Sequence, residues 1–433
     1  MFPNLKFDGE EIVFLTEVNS YNAYTSQEIY AEEMNGSLIN DAVYTRNLEV
    51  EEQFDVKIAE EKLSNATSIA SSAILAGDDV YDVVMPYLNS SIKNALQGLY
   101  IDLNTVDYLE LENPWWDQRA NEYLTFGGKL YFTTGDISIL DNECTMVLFF
   151  NKKLATEYDL EDPYALVKSG EWTLDRLFAM SSEMLLDLNG DGEIKSEDDQ
   201  FGLFAATNVP HSMFFGAGER ITDTAEDGSL ELVMYNERSS ELVPYIIENC
   251  LHDNVMDDRD FFRSASAFME GRVLFAGWAL TDINSIRDSK FDFGILPYPK
   301  YNKEQTEYYS FISTGLVPGL SIPITNDEPE KAGLICEAMA YYSVDTLTAA
   351  YYDNALNTRY IRDAESGDML DIIFASRAYD IGYIYDVGGL GMMIENMFGQ
   401  KNTNFSSRYA GLKQSANAAL AELQEEIEAS AGE

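Results

Sequence analysis

Histidine, cysteine and basic side chains are all scarce in this 433-residue chain. Two histidines, His211 and His252, leave little material for a Ser-His-Asp triad or a multi-histidine metal centre. Cys144, Cys250 and Cys336 stand far apart without a C-x-x-C pair, which excludes a zinc ribbon or a disulfide framework and reads as three core thiols. Lysine and arginine number 28 against 75 aspartates and glutamates, a net charge of −47 that repels nucleic-acid phosphates and anionic lipid surfaces. Nucleic acid is therefore excluded as a partner. The same acidity also keeps many exported proteins soluble without serving any other purpose. No apolar run approaches the ~18 residues of a membrane span, and the opening "MFPNLKFDGEE" lacks a basic segment with an apolar core. If the protein is exported, its signal and any lipid anchor are absent from this sequence. Low-complexity linkers are missing too.

What is present is alternation. "EIVFLTEV" reads as a buried strand, "SQEIYAEEM" as a helix, and "LINDAVYTRNLEVEEQF" as a second helix leading into the strand "DVKIAEE". "SNATSIASSAILAG" is helical, "DVYDVVMP" is a compact β-branched strand, and "SSIKNALQGLY" is helical again. This is the pattern of a parallel sheet covered on both faces. Further strands are expected at "KLYFTT", "MVLFFN", "FGLFAA", "RVLFAG" and "FDFGILPYP", with a helix from Trp172 to Leu188 among those between them. At about 150 residues per domain, the length predicts two or three domains, or two large ones. Without a flexible tether, they must be joined by strands that cross between them.

"DLNGDGEIKSED", residues 187–198, matches a twelve-residue calcium loop. Asp187, Asn189 and Asp191 fall at positions 1, 3 and 5, Gly192 at the turning position, and Ile194 at the apolar position 8. Calcium takes six to eight oxygen ligands, so the Glu193 main-chain carbonyl, the closing Asp198 and water would complete the set. Asp198 replaces the usual bidentate glutamate, so the cage must draw it inward or recruit Asp199. An acidic surface turn is the plainer alternative. As a single loop, it is expected to bind a structural ion and not a signalling one, with Ile194 docked against a strand or the second lobe.

Ligands of open parallel sheets bind beyond the carboxyl ends of the strands. After "EIVFLT" come Glu17, Asn19 and Tyr21, and after "YDVVM" come Tyr87 and Asn89. Aromatic faces beside amides suit a sugar, which offers an apolar C–H face and hydroxyls together. Trp278 follows the "RVLFAG" strand directly and is the first choice for a stacking ring. Glu143, Thr145, Asn208, Tyr385 and Asp386 complete the candidates. Trp172, preceding the probable N-cap Thr173, reads as a hydrophobic staple.

Five ordered segments carry a family resemblance: "YDVVMPYLNSSIKNALQGLYIDL", "KLYFTTGDISILDNECTMVLFFNKKL", "VKSGEWTLDRLFAMSSEM", "FMEGRVLFAGWALTDINSIRDSKFDFGILPYPK" and "AYDIGYIYDVGGL". Together they resemble the extracellular solute-binding proteins, carbohydrate-binding type, that serve ABC importers. The resemblance implies a two-lobed α/β clamshell of the periplasmic-binding-protein kind, each lobe a mostly parallel sheet flanked by helices. It implies a first lobe of 1–137 plus 298–318, a second of 145–294 plus 322–433, and crossovers near 134–144, 292–299 and 313–323. A monomer outside the cell is implied, capturing a saccharide between the lobes and passing it to a membrane permease. It also places the family's stacking tryptophan at or near Trp278. It puts "PWWD" on the outer side of the first lobe, which implies that Trp115 is packing and leaves Trp116 open. A secreted carbohydrate-active enzyme with two carboxylates across the cleft is the main rival. A binding protein for peptide or polyol and a calcium-dependent docking module are the others.

Overall fold

A computed structural model describes residues 2–19, 25, 27–225, 228–256, 261–356 and 364–431. Its first sheet is built by strand–helix alternation. β1 (Glu10–Glu17) leads through α1 (Leu38–Phe54) to β2 (Val56–Leu63), and α2 (Ala66–Ala76) then carries the chain across to β3 (Val83–Met85). The order is β2-β1-β3, all parallel, with Ile12 opposite Ile58 and Leu15 opposite Val84. β3 is followed by α3 (Leu88–Leu96). The sheet is extended by a returning segment: Val84 bridges Ser321, and Thr133 bridges Leu320, both antiparallel.

The second sheet comprises β4 (Met146–Asn151), β5 (Phe201–Phe204), β6 (Val255–Met256), β7 (Val273–Ala279) and β8 (Phe293–Leu296). Their order is β8-β4-β7-β5-β6, with β4 antiparallel to both neighbours and β5 parallel to both of its own. Every residue of β4, β5, β7 and β8 is buried, as expected of strands covered on both faces, which read as continuous apolar runs instead of alternating. The sheet is mixed where a mostly parallel one was expected. The two-lobed α/β architecture stands.

Several local expectations differ. Of the expected helix "SQEIYAEEM", Ser26 lies outside the described residues and 27–34 forms bends, because the Ile29 carbonyl is taken by two buried side chains: Arg46 Nη2 donates to it at 3.0 Å and Asn47 Nδ2 at 2.9 Å. The helix expected to reach Leu188 spans only Leu174–Ser182, and Leu186 then exchanges main-chain hydrogen bonds with Gln200. Thr173 does cap it, its hydroxyl accepting from the Arg176 amide at 3.5 Å. Trp172 is fully buried with its indole donating to the Pro297 carbonyl at 2.9 Å, so it is a core residue tied to β8's exit. "KLYFTT" makes isolated bridges and no continuous strand.

The lobe boundaries also fall elsewhere. The helix Pro329–Ser343 packs on α1 in the first lobe, whereas 322–433 was expected in the second. The segment after β8 stays with the second lobe: Leu174 donates to the Lys300 carbonyl at 2.9 Å, and the Tyr308 hydroxyl to the Val167 carbonyl at 3.0 Å. Crossing segments change lobes without a compositional break, so no boundary marker exists in the sequence.

Candidate ligand cleft and its hinge

The carboxyl ends of β1 and β3 lie side by side, and they bring the expected pair together. Asn19 Nδ2 donates to the Tyr87 hydroxyl at 3.1 Å, and the Asn19 amide donates to Thr25 Oγ1 at 3.0 Å. Tyr87 is half-buried at the N-cap position of α3. Burial raises its phenol pKa, against the pull of Asn19, so the hydroxyl stays protonated and available as a donor. Asn89 is exposed one turn on, its amide donating to the Thr314 carbonyl at 3.4 Å. The Leu88 amide donates to Val317 O at 2.9 Å, and Gly319 donates to Pro86 O at 2.8 Å, which welds this wall to the returning crossover. Asn19 and Tyr87 therefore form one amide and phenol surface, while Asn89 is tied through its backbone to the crossover. Tyr21 lies outside the described residues.

On the other side, Asn208 stands half-buried at the mouth of β5, where the helix Val209–Gly216 begins, with Nδ2 3.7 Å from Met146 Sδ. Trp278 is a correction. It is 4% exposed, and its ring is enclosed by Phe149, Phe204 and Phe268 at centroid distances of 6.1, 5.4 and 5.7 Å. β7 turns this side chain into the apolar layer of the second lobe, so no face is open for a sugar. Thr145 is fully buried and structural, its hydroxyl donating to the Asp141 carbonyl at 2.7 Å. Tyr385 donates to Glu426 at 3.4 Å on the helix Phe405–Ala431, and Asp386, at φ 54°, accepts from the Gly391 amide at 3.0 Å. These contacts serve turn and helix packing. Glu143 lies in the first crossover, where burial, with Glu28 and Asp141 adding, pushes its carboxyl up to about 8.

Sequence reasoning missed the group on which the crossovers converge. Arg377 is buried with its Nη1 2.7 Å from Asp117 Oδ2 and 3.2 Å from Asp141 Oδ2, while Nη2 donates to Asn142 and Nε to Thr145 Oγ1 at 3.4 Å. The Tyr379 hydroxyl donates to the same Asp117 oxygen at 2.8 Å. Burial works against the Arg377 charge, but Asp141 and Asp117 outweigh it and hold the guanidinium above its ordinary value. Asp117 closes "PWWD", where the paired rings are the visible signal and the acid is not. Trp116 is 1% exposed and donates to Glu337 at 2.7 Å, so it is packing as well.

The 187–198 loop is folded by its own side chains in the expected order. Asp187 accepts from the Gly190 and Gly192 amides at 2.7 and 2.8 Å, Asn189 from Asp191 at 2.8 Å, and Asp191 from Glu193 at 2.8 Å. Asn189 Nδ2 donates to Asp198 Oδ2 at 2.8 Å. The Lys195 ammonium stands 3.3 Å from Asp191 and 2.6 Å from Glu193. Among the described residues no three acidic, histidine or cysteine side chains converge as metal ligands. Asp199, fully buried, closes the loop by accepting from Leu188 and Lys195 amides at 2.9 and 2.7 Å. Ile194 is 42% exposed, so it does not dock as expected.

No protein-family model matches the chain, and no curated relative does either. Solved structures do match, across nearly the whole length. A cyclo/maltodextrin-binding protein in complex with maltotetraose aligns with 98% of this chain and 97% of its own at 14% identity and a TM-score of 0.61. An ABC substrate-binding protein of Listeria monocytogenes in complex with cycloalternan gives 96%, 99%, 15% and 0.59 by the same measures. The GacH receptor of Streptomyces glaucescens, known unliganded and with acarbose, gives 96%, 99%, 12% and 0.58. The class is thus a two-lobed α/β binding-protein fold. More particularly, the likeness to these three proteins extends over 96–98% of the chain.

Two consequences can be measured. Arg377→Ala leaves Asp117 and Asp141 buried without their cation, and the expected cost is about 3–5 kcal/mol in urea unfolding. A loss below ~1 kcal/mol would show that the hub is not what holds the crossovers. Glu143, raised above its unfolded value near 4.5, favours the folded state fully below that pH, and the benefit is lost as pH rises through about 8. Glu143→Gln should therefore melt higher than the parent at pH 8 and no higher at pH 4.5. Equal differences at both values would remove the titration from the account.

Proposed function

We propose that the protein is the extracellular substrate-binding component of an ABC importer, capturing a neutral saccharide between its lobes and delivering it to a membrane permease. The observation that carries this reading is agreement of fold over 96% or more of the chain with proteins crystallised with cycloalternan, maltotetraose and acarbose. The amide and phenol groups of Asn19, Tyr87 and Asn89 support it chemically, since they donate to and accept from hydroxyls without demanding charge. Asn208 faces the same problem from the second lobe and completes the proposed contacts. A lipid anchor or cleaved export signal upstream and a monomeric state belong to the same proposal. The lobes close about the three crossovers, with the Arg377 hub as the fixed point.

Titration calorimetry with maltotetraose and other neutral oligosaccharides tests this directly. Binding is expected, with the sugar recovered intact and the radius of gyration smaller in the complex. Asn19→Ala with Tyr87→Ala should weaken affinity by about 1–3 kcal/mol through lost hydrogen bonds and ring area. Cleavage of the sugar would favour the carbohydrate-active enzyme, and binding of peptides alone would replace the ligand class.

The loop at 187–198 is proposed to hold one structural calcium ion through Asp187, Asn189, Asp191, the Glu193 carbonyl and Asp198. Its support is the ordered Asx hydrogen bonding that already bends the loop around those oxygens. Lys195 occupies the cation position and has to yield it. At ~100 times its dissociation constant, calcium adds about 2.7 kcal/mol to stability. Chelator is expected to lower the melting temperature, and Asp187→Ala with Asp191→Ala to abolish that sensitivity while leaving saccharide affinity unchanged. A parent protein indifferent to chelator and calcium alike would leave Lys195 as the loop's only cation.

A further inference from the structure

The first lobe carries a groove of about 650 Å³ that shares no residue with the crossovers or the second sheet. One helix face builds its floor. Gly333, Glu337 and Tyr341 recur every fourth residue on the helix Pro329–Ser343 and so share a side. A Cβ at Gly333 would stand 2.5 Å from Val106 Cγ1 and 3.0 Å from the Asp107 carbonyl, so only glycine lets the 106–109 turn press onto the helix. That turn holds Tyr108 at φ 68°, the left-handed region that a bulky residue rarely occupies and that costs free energy to maintain. The outcome of this close approach is a tyrosine ring 45% exposed on the groove wall.

Glu337 fixes the opposite wall. It is 3% exposed, and its carboxylate accepts from Trp115 Nε1 at 3.0 Å, Trp116 Nε1 at 2.7 Å, Asn113 Nδ2 at 2.7 Å and the Glu110 amide at 3.3 Å. Four donors satisfy the charge, and two of them lock the indoles in orientation. Trp115 then meets Tyr341 edge to face at 5.1 Å, and Tyr341 remains 44% exposed. Rigid aromatic walls held by a buried supporting shell are what a preformed site requires. None of the described residues lining the groove is basic, while Glu110 and Glu337 are acidic, so anions are disfavoured. Amide and carboxylate groups between the rings disfavour a purely apolar guest.

We infer that this groove is a second, separate binding site for neutral oligosaccharide, in which pyranose rings stack on Tyr108, Trp115 and Tyr341. The left-handed Tyr108 is explained by this role: its ring is worth more at the wall than the backbone strain costs.

The test titrates maltotetraose and cellotetraose into six forms: the parent, Asn19→Ala/Tyr87→Ala, Tyr108→Gly, Tyr341→Ala, and the cleft variant combined with each of the two groove substitutions. The cleft variant is expected to keep a weak binding event. Adding Tyr108→Gly or Tyr341→Ala to it should weaken that event at least tenfold. Tyr108→Gly alone should melt no lower than the parent, because glycine adopts positive φ freely, so lost binding cannot be ascribed to unfolding. Loss of every binding event in the cleft variant, or groove substitutions that leave its residual event unchanged, overturns the inference. So does binding of an aromatic peptide at the groove without either sugar. Failure of the interlobe reading looks different: the parent's main event would then be indifferent to Asn19→Ala/Tyr87→Ala.

Discussion

A single buried guanidinium joins three stretches of chain that are remote in sequence. Arg377 reaches Asp117 in the first lobe and Asp141, Asn142 and Thr145 in the first crossover, and its own backbone pairs with Ser310 beyond β8. A charge so placed is stable only while its partners stay within reach, because each carboxylate left alone would face the full cost of burial. The crossings are therefore pinned at one point, and the proposed closure would bend the chain on either side of it. In a molecule carrying −47, a cation in that position also neutralises acids that would otherwise drive the crossovers apart.

The sheets were legible because burial on both faces leaves a signature. "MVLFF", "FGLFAA" and "VLFAG" are apolar throughout, and each lies in or at a strand of the second sheet. α1 likewise runs over Leu38–Phe54, the whole of its expected span. What failed was local propensity overruled at a distance. The carbonyls of Glu28 and Ile29 are acceptors for fully buried Arg46, at 2.6 and 3.0 Å, and a helix through that segment would have used them internally. The lobe boundaries were illegible for a related reason: a crossing strand is as apolar and ordered as any other, so composition does not change where the chain changes lobe.

The candidate site was half legible. The rule that ligands gather beyond strand ends pointed to Asn19, Tyr87 and Asn89; the Asn19 and Tyr87 side chains meet, and the Asn89 amide donates to the Thr314 carbonyl instead. Applied to Trp278, the same rule misled, since β7 is inside on both faces up to Ala279 and its last rings pack with Phe149 and Phe204. An aromatic at a strand end is open to ligand only where the neighbouring layer stops short. Arg377 gave no sequence signal at all, because its meaning depends on Asp117, 260 positions away.

Charge distribution bears on what the proposed cleft can admit. The acids near the crossovers are held toward their neutral forms by burial: Glu143 rises to about 8, Asp282 to about 7 and Asp136 to about 6. Burial of this kind makes another anion costly nearby, and the strongly acidic surface adds a long-range barrier to one arriving. The first-lobe wall offers amide and phenol groups in place of a fixed ion pair, so a cation would find no dedicated partner there. A guest with many hydroxyls and no net charge avoids both penalties and can still satisfy Asn19, Tyr87 and Asn89 by hydrogen bonds. Under the proposed function, these electrostatics favour a neutral saccharide over an anionic guest.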